Sequence, residues 1–150
     1  MVVVVPDKRP LNACVAQVVH GLYLHLIHAA FPTMSFIGVP RKVAPFPLFD
    51  RQARFVAASL AGRLWLPSRQ QMLEAIREEL EACADRRHFH VFAAAQWSYN
   101  DRLAEMIGCE PLCPVVRSLY EAVCPHRTNN LQGYRSQTFK IVDRQTFVNI

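Results

Sequence analysis

From Gly21 to His28 the chain alternates, with Leu22, Leu24 and Leu26 set against Tyr23, His25 and Ile27. A period of two is strand spacing, although a helix over the same residues stays open. The next apolar run, Met34 to Val39, is short and is ended by Gly38 and Pro40, which predicts a buried strand running into a loop. Pro45 and Pro47 then prepare a helix in which Phe49, Ala53, Val56, Ala57 and Leu60 share one face. Gly62 follows where a left-handed cap is usual. Strand, loop and helix make the clearest unit of the chain, and Trp65 and Leu66 are expected to pack back on it.

The longest helix opens at Pro67-Ser68, because the Ser68 hydroxyl can accept free amides while Gln71, three residues on, completes a capping box. Met72, Ile76, Leu80 and Cys83 form its apolar stripe, and Glu74, Arg77, Glu78 and Glu81 face water. Two shorter helices follow. One begins near Asn100-Asp101, carries Leu103, Met106 and Ile107 and stops at Gly108; the other starts at Pro114 and carries Val115, Val116, Leu119, Tyr120 and Val123. From Asn129 onward the tail is polar and aromatic by turns, with Tyr134, Phe139, Ile141 and Val142 as its expected contacts. No internal repeat is present.

Composition fits this reading. With 51% apolar and 19% charged side chains over 150 residues, the chain has the make-up of one ordinary globular domain, long enough to bury roughly 70% of its extended surface. The 17 Lys and Arg give a net charge of +5 but are spread among 12 acids. The densest clusters, Arg41-Lys42 and Asp85 to His88, are too short to track phosphates, so nucleic acid is not expected as a partner. Residues 11–31 are apolar enough to raise a membrane span, but Asn12, Gln17, His20, His25 and His28 interrupt it, and polar groups in hydrocarbon are costly. A membrane anchor is not expected at the end of the chain either, which reads Gln145 to Ile150 with Asn149 near its close.

Five cysteines, at 14, 83, 109, 113 and 124, form no CxxC pair and leave an odd one over, and the opening MVVVVPDKRP places its positive charges after the apolar run. That is the reverse of a secretory signal, and the two features together predict a reducing, cytoplasmic setting. No metal site is assigned. His25 and His28 suit one helix face but opposite faces of a strand, and Cys109, Cys113, Cys124 and His126 have ligand types without the spacing of a zinc knuckle. His88 and His90 flank Phe89 at an apparent strand start and are read as packing, as are Trp97, Tyr99 and Tyr120. No signature of a nucleophile or an acid–base pair surrounds any cysteine or histidine, and no catalytic residue is assigned.

Residues 35–57, SFIGVPRKVAPFPLFDRQARFVA, resemble the strand-loop-helix that closes the FAD-binding domain of flavin-containing monooxygenases, and FPLFDRQAR is the most specific part. LYLHLIHAAFPTMSFIG at 22–38 is similar to the segment in which that family re-enters the FAD domain. LAGRLWLPS at 60–68 looks like its helix end, and HFHVF with QWSYNDRLAEMIG looks like its C-terminal extension. The resemblance runs from residue 16 to about 147. It implies an α/β fold: a helix-rich fragment of an FAD-binding Rossmann-type domain with a C-terminal helical extension. Residues 1–15 are unmatched, 16–66 form the C-terminal part of the FAD-binding domain, and 67–150 form the extension.

The resemblance also implies a chemistry, in which FAD reduced by NADPH captures O2 and passes oxygen to a soft nitrogen or sulfur. The cofactor performs the hard step, and protein supplies binding, orientation and exclusion of water. By that likeness Gly38, which lets backbone come close, and the helix start at Pro45 and Phe46 would line the flavin, with Gln52 as a polar contact. The other reading makes Gly38 a simple turn and Gln52 a surface residue. Gly21, Gly38, Gly62, Gly108 and Gly133 are too far apart even for GxG, so neither of the family's two dinucleotide fingerprints is present. The chain is therefore expected to be truncated, to hold no cofactor tightly and to be inactive alone. The alternatives are a non-catalytic helical domain that pairs with a full-length relative or another protein through an exposed apolar face, and a non-functional fragment. Sheet edges left unpaired predict marginal stability, with the segment before residue 34 the first to be cut by proteases.

Overall fold

The computed structural model describes residues 18–130 and 132–150, and, among these, the side chains of all but residues 126–128 and 134. The unmatched segment 1–15, Cys14, and the side chains of His126 and Tyr134 lie outside what is described. The chain forms two compact units, one ending at Ala94 and the other running from Ala95 to Ile150.

The first unit opens with two short antiparallel strands, β1 (Leu22–Tyr23) and β2 (Ile27–His28), paired Leu22 to His28 and Tyr23 to Ile27. The alternation at 22–27 therefore does not make one strand. Leu24 and His25 take φ of 53° and 51°, the positive values that a tight hairpin turn needs at both central positions, and the Leu26 amide donates to the Tyr23 carbonyl at 3.1 Å. All six residues from Leu22 to Ile27 are buried, so both faces of the hairpin are covered and its alternation does not separate inside from outside. Two non-glycine residues in the left-handed region cost about 1–2 kcal/mol each, which this burial offsets. The run at Met34 to Val39 makes a single bridge, Ser35 to Ile27, rather than a buried strand, and Ile37 is exposed.

The helix predicted after Pro45 is α1 (Pro45–Leu60), but its buried face is not the predicted one. Leu48, Arg51, Gln52, Phe55 and Ala58 face inward, while Phe49, Ala53, Ala57 and Leu60 are exposed. Two polar residues on the inward stripe conceal it from a count of apolar positions. At the C-terminus Gly62, at φ +69°, donates to Ser59, and the Arg63 amide donates to Ala58; this is the paired closure expected of a glycine one residue past the cap. Trp65, predicted to pack back, is 88% exposed.

α2 (Arg69–Ala82) begins as predicted, with a reciprocal box between Ser68 and Gln71. It lies against β1 and buries Met72 and Ile76. A single 3-10 turn, Arg86–His88, replaces the strand start read at 88–90. Beyond it, Arg41 and Val91 form a parallel bridge, held by the Arg41 amide to the His90 carbonyl at 2.7 Å and the Phe92 amide to the Arg41 carbonyl at 3.1 Å.

In the second unit α3 (Gln96–Met106) starts four residues earlier than the Asn100 signal suggested and carries Asn100 inside, buried. The Asn100 amide group donates to the Gln96 carbonyl at 2.8 Å, a bond along the helix rather than a cap. Gly108, at φ +64°, ends it as read. α4 (Pro114–Asn129) starts at the predicted proline, and Trp97 and Tyr120 meet edge to face with ring centres 5.6 Å apart. The tail closes in a hairpin that its pattern did not announce, β3 (Phe139–Ile141) with β4 (Phe147–Asn149), in which Phe139 and Phe147 pack at 5.8 Å.

Candidate functional site

The residues singled out by sequence meet around the entry to α1. Gly38 stands at φ +85°, a conformation that side-chain-bearing residues rarely take. Its amide donates to Oε1 of Gln52 at 2.8 Å, and a Cβ on Gly38 would come within 2.9 Å of Cε1 of Phe49. The backbone conformation is what calls for a glycine here, and the neighbour that an added Cβ would push on is the Phe49 ring. Gln52 is fully buried, which excludes the surface reading, and one of its polar atoms is committed to holding the 37–38 turn against α1.

Pro45 and Phe46 sit on the first turn of that helix. Ala44 at the N-cap makes no side-chain capping bond, and no acid lies in the first turn. Prolines at 45 and 47 lack amide hydrogens, so Phe46 carries the one N–H of the first three helical positions. The first turn of α1 thus brings neither a capping side chain nor an acid of its own to the positive end of the helix. Phe46 is 84% exposed. These features suit an anionic, planar ring edge presented to the end of the helix. Gly38 does not add a cradle to it, because its amide and its Cβ face are both taken up inside the protein.

A second cluster lies under the β1–β2 hairpin. Nδ1 of His25 and Nδ1 of His90 are 2.8 Å apart, and both residues are buried. Nε2 of His90 is 3.1 Å from the Val19 amide nitrogen and 3.3 Å from the Val19 carbonyl oxygen. Nε2 of His25 faces Oε2 of Glu79 at 3.7 Å. Phe89 and Phe92 pack on the His25 ring with centres 4.6 and 4.7 Å away. Burial pushes His90 down from 6.5 to about 4, and the positive charges of Arg41 and His20 act in the same direction. Sequence reasoning placed His90 in packing but missed its pairing with His25, since nothing local links positions 65 residues apart. Among the described residues no group of three or more metal-ligating side chains converges, and no helix is long and apolar enough to cross a membrane.

No protein-family model matches the chain. Among curated proteins it is 33% identical over 122 residues to flavin-containing monooxygenase FMO GS-OX-like 4 of Arabidopsis thaliana, covering 77% of this chain and 27% of that protein. It is 43% identical over 90 residues to FMO GS-OX-like 7 of the same plant, covering 56% and 19%. Among solved structures, S-allyl-L-cysteine S-oxygenase from Allium sativum matches with a TM-score of 0.66 and 32% identity, over 77% of this chain and 27% of that one. Tmm from Pelagibacter sp. strain HTCC7211 matches with a TM-score of 0.61 at 17% identity, over 85% and 29%, a likeness of fold alone. The chain thus spans about a fifth to a quarter of the length of the curated relatives it matches.

Proposed function

The chain carries a segment of the flavin-containing monooxygenase family, and from that premise we propose that residues 35–66 serve as the closing piece of an FAD site, with the first turn of α1 at the flavin. The observation that carries the proposal is a first turn of α1 that opens on proline and holds no acid, set in place by the bond from Gly38 to Gln52. When bound, FAD reduced by NADPH would supply oxygen transfer to a soft nucleophile, and the likeness to the protein named S-allyl-L-cysteine S-oxygenase makes sulfur the favoured one.

The residues of this chain bind and orient. The α1 dipole and the Phe46 amide favour negative charge on the ring edge nearest them. The exposed Phe46 side chain covers apolar ring surface and keeps water from it. Gln52 fixes the turn that delivers the chain into α1. Binding of the pyrophosphate falls to glycine loops of a kind these 150 residues do not include, so the chain alone holds FAD weakly and is inactive alone. Its setting is cytoplasmic on the cysteine pattern, five along the chain with no CxxC pair and an odd one over.

A specific observation also favours a docking role. Phe46, Phe49 and Leu60 lie exposed on the outer side of α1, with Ala53 and Ala57 between them, and an apolar stripe of that length marks an interaction face. A full-length relative, or another protein, is the partner it would pack against.

The test is a chimera in which the matching segment of the Allium S-oxygenase is replaced by residues 35–66 of this chain. A yellow protein that oxidises NADPH supports the proposal. A folded but colourless chimera overturns it.

A further inference from the structure

The His25–His90 contact joins two groups that cannot both donate. At 2.8 Å between Nδ1 atoms, one ring carries the hydrogen and the other offers its lone pair. In the neutral pair the surroundings select the direction. Glu79 Oε2, at 3.7 Å from Nε2 of His25, favours a hydrogen on that nitrogen, which leaves Nδ1 of His25 as the acceptor. His90 then carries its hydrogen on Nδ1, and its Nε2 accepts the Val19 amide hydrogen across 3.1 Å. One added proton reverses the chain. It converts His25 to an imidazolium whose Nδ1–H must donate to His90; the hydrogen of His90 moves to Nε2, where the Val19 carbonyl oxygen stands 3.3 Å away. The second arrangement gives up the Val19 amide bond, whose hydrogen would face a donor at 3.1 Å, and takes the carbonyl bond in its place, so residue 19 turns slightly as the proton is gained.

We propose that His25 and His90 form a one-proton tautomeric switch, in which the neutral pair holds residue 19 by its amide and the singly protonated pair holds it by its carbonyl. A second proton is refused, because two cations would face each other through two donors. The charged and titratable groups around the pair enforce this: Glu79 on α2 faces His25, whereas Arg41 and His20 oppose charge on His90. Phe89 and Phe92 wall the His25 ring. The switch ties the start of the β1–β2 hairpin to the segment after α2, so the same fold is kept by two different hydrogen-bond sets on either side of one protonation.

The test is long-range proton–nitrogen correlation NMR on the full chain with 15N-labelled histidine, recorded from pH 8 down to pH 5. The expected result is His90 as the Nδ1–H tautomer at pH 8 and as the neutral Nε2–H tautomer once His25 is doubly protonated. Glu79→Gln should move that exchange to lower pH by about half a unit or more. His90 already in the Nε2–H form at pH 8, or the two rings protonating independently with no tautomer change, would overturn the proposal.

Discussion

Gln52, in the middle of α1, accepts the amide of Gly38 at 2.8 Å while wholly removed from water. One helix residue thereby sets the conformation of a turn 14 positions earlier, and through it the direction in which the chain enters the helix. Replacing Gln52 with Leu keeps the volume and removes the acceptor. The expected loss is about 0.5–1.5 kcal/mol, the net worth of a hydrogen bond whose donor is half-buried, read as a fall in the thermal midpoint of the chain. Unchanged stability would mean that the turn is held by packing alone.

Gly38→Ala separates backbone from side-chain constraint. The φ of +85° costs an alanine about 1–2 kcal/mol. The Phe49 ring met by the new Cβ is 37% exposed and can swing outward. A cycle with Phe49→Ala should therefore show a coupling of less than about 1 kcal/mol, measured by denaturant unfolding. A larger coupling would show that the ring is fixed.

His90 is held at about 4 against an ordinary 6.5, so between those values the unfolded chain binds more protons than the folded one. Stability is then full above pH 6.5 and falls as pH drops toward 4, by roughly 3 kcal/mol at most for this group. In His90→Phe that slope should flatten. Chemical unfolding at pH 7, 5.5 and 4.5 checks both, and a slope retained in the variant would assign it to other groups.

The outer side of α1 should tolerate charge. Phe46→Glu with Leu60→Glu alters residues that are 84% and 73% exposed, so unfolding should move by no more than about 0.5 kcal/mol per site. Light scattering should report less self-association. A large loss of stability would mean that this stripe is packed within the folded chain.

Titration of the purified chain with FAD, followed by flavin fluorescence and thermal shift, should give no saturable binding at micromolar concentrations, since a ligand of the folded state must raise its stability. Saturable binding with a raised midpoint would show a flavin site more complete than the glycine pattern predicts.

What the sequence by itself determined acts over three or four residues. Ser68 with Gln71, Gly62 and Gly108 past their helices, and Pro114 at the start of α4 are each read from one side chain and the backbone groups it reaches, and the structure shows each in that role. The string FPLFDRQAR was legible in the same way, as order along the chain, and it carried the family likeness. Tertiary structure alone decided which side of a helix is inside and where an alternating run turns back. Arg51 and Gln52 face inward against the apolar count of α1, because what Gln52 meets is the Gly38 amide, which the pattern of α1 does not contain. Leu24 and His25 bend into a hairpin that alternation reads as a strand, because His25 is met there by His90, 65 residues away. Capping and turn chemistry need only neighbours, whereas burial depends on what the rest of the chain brings to the same place.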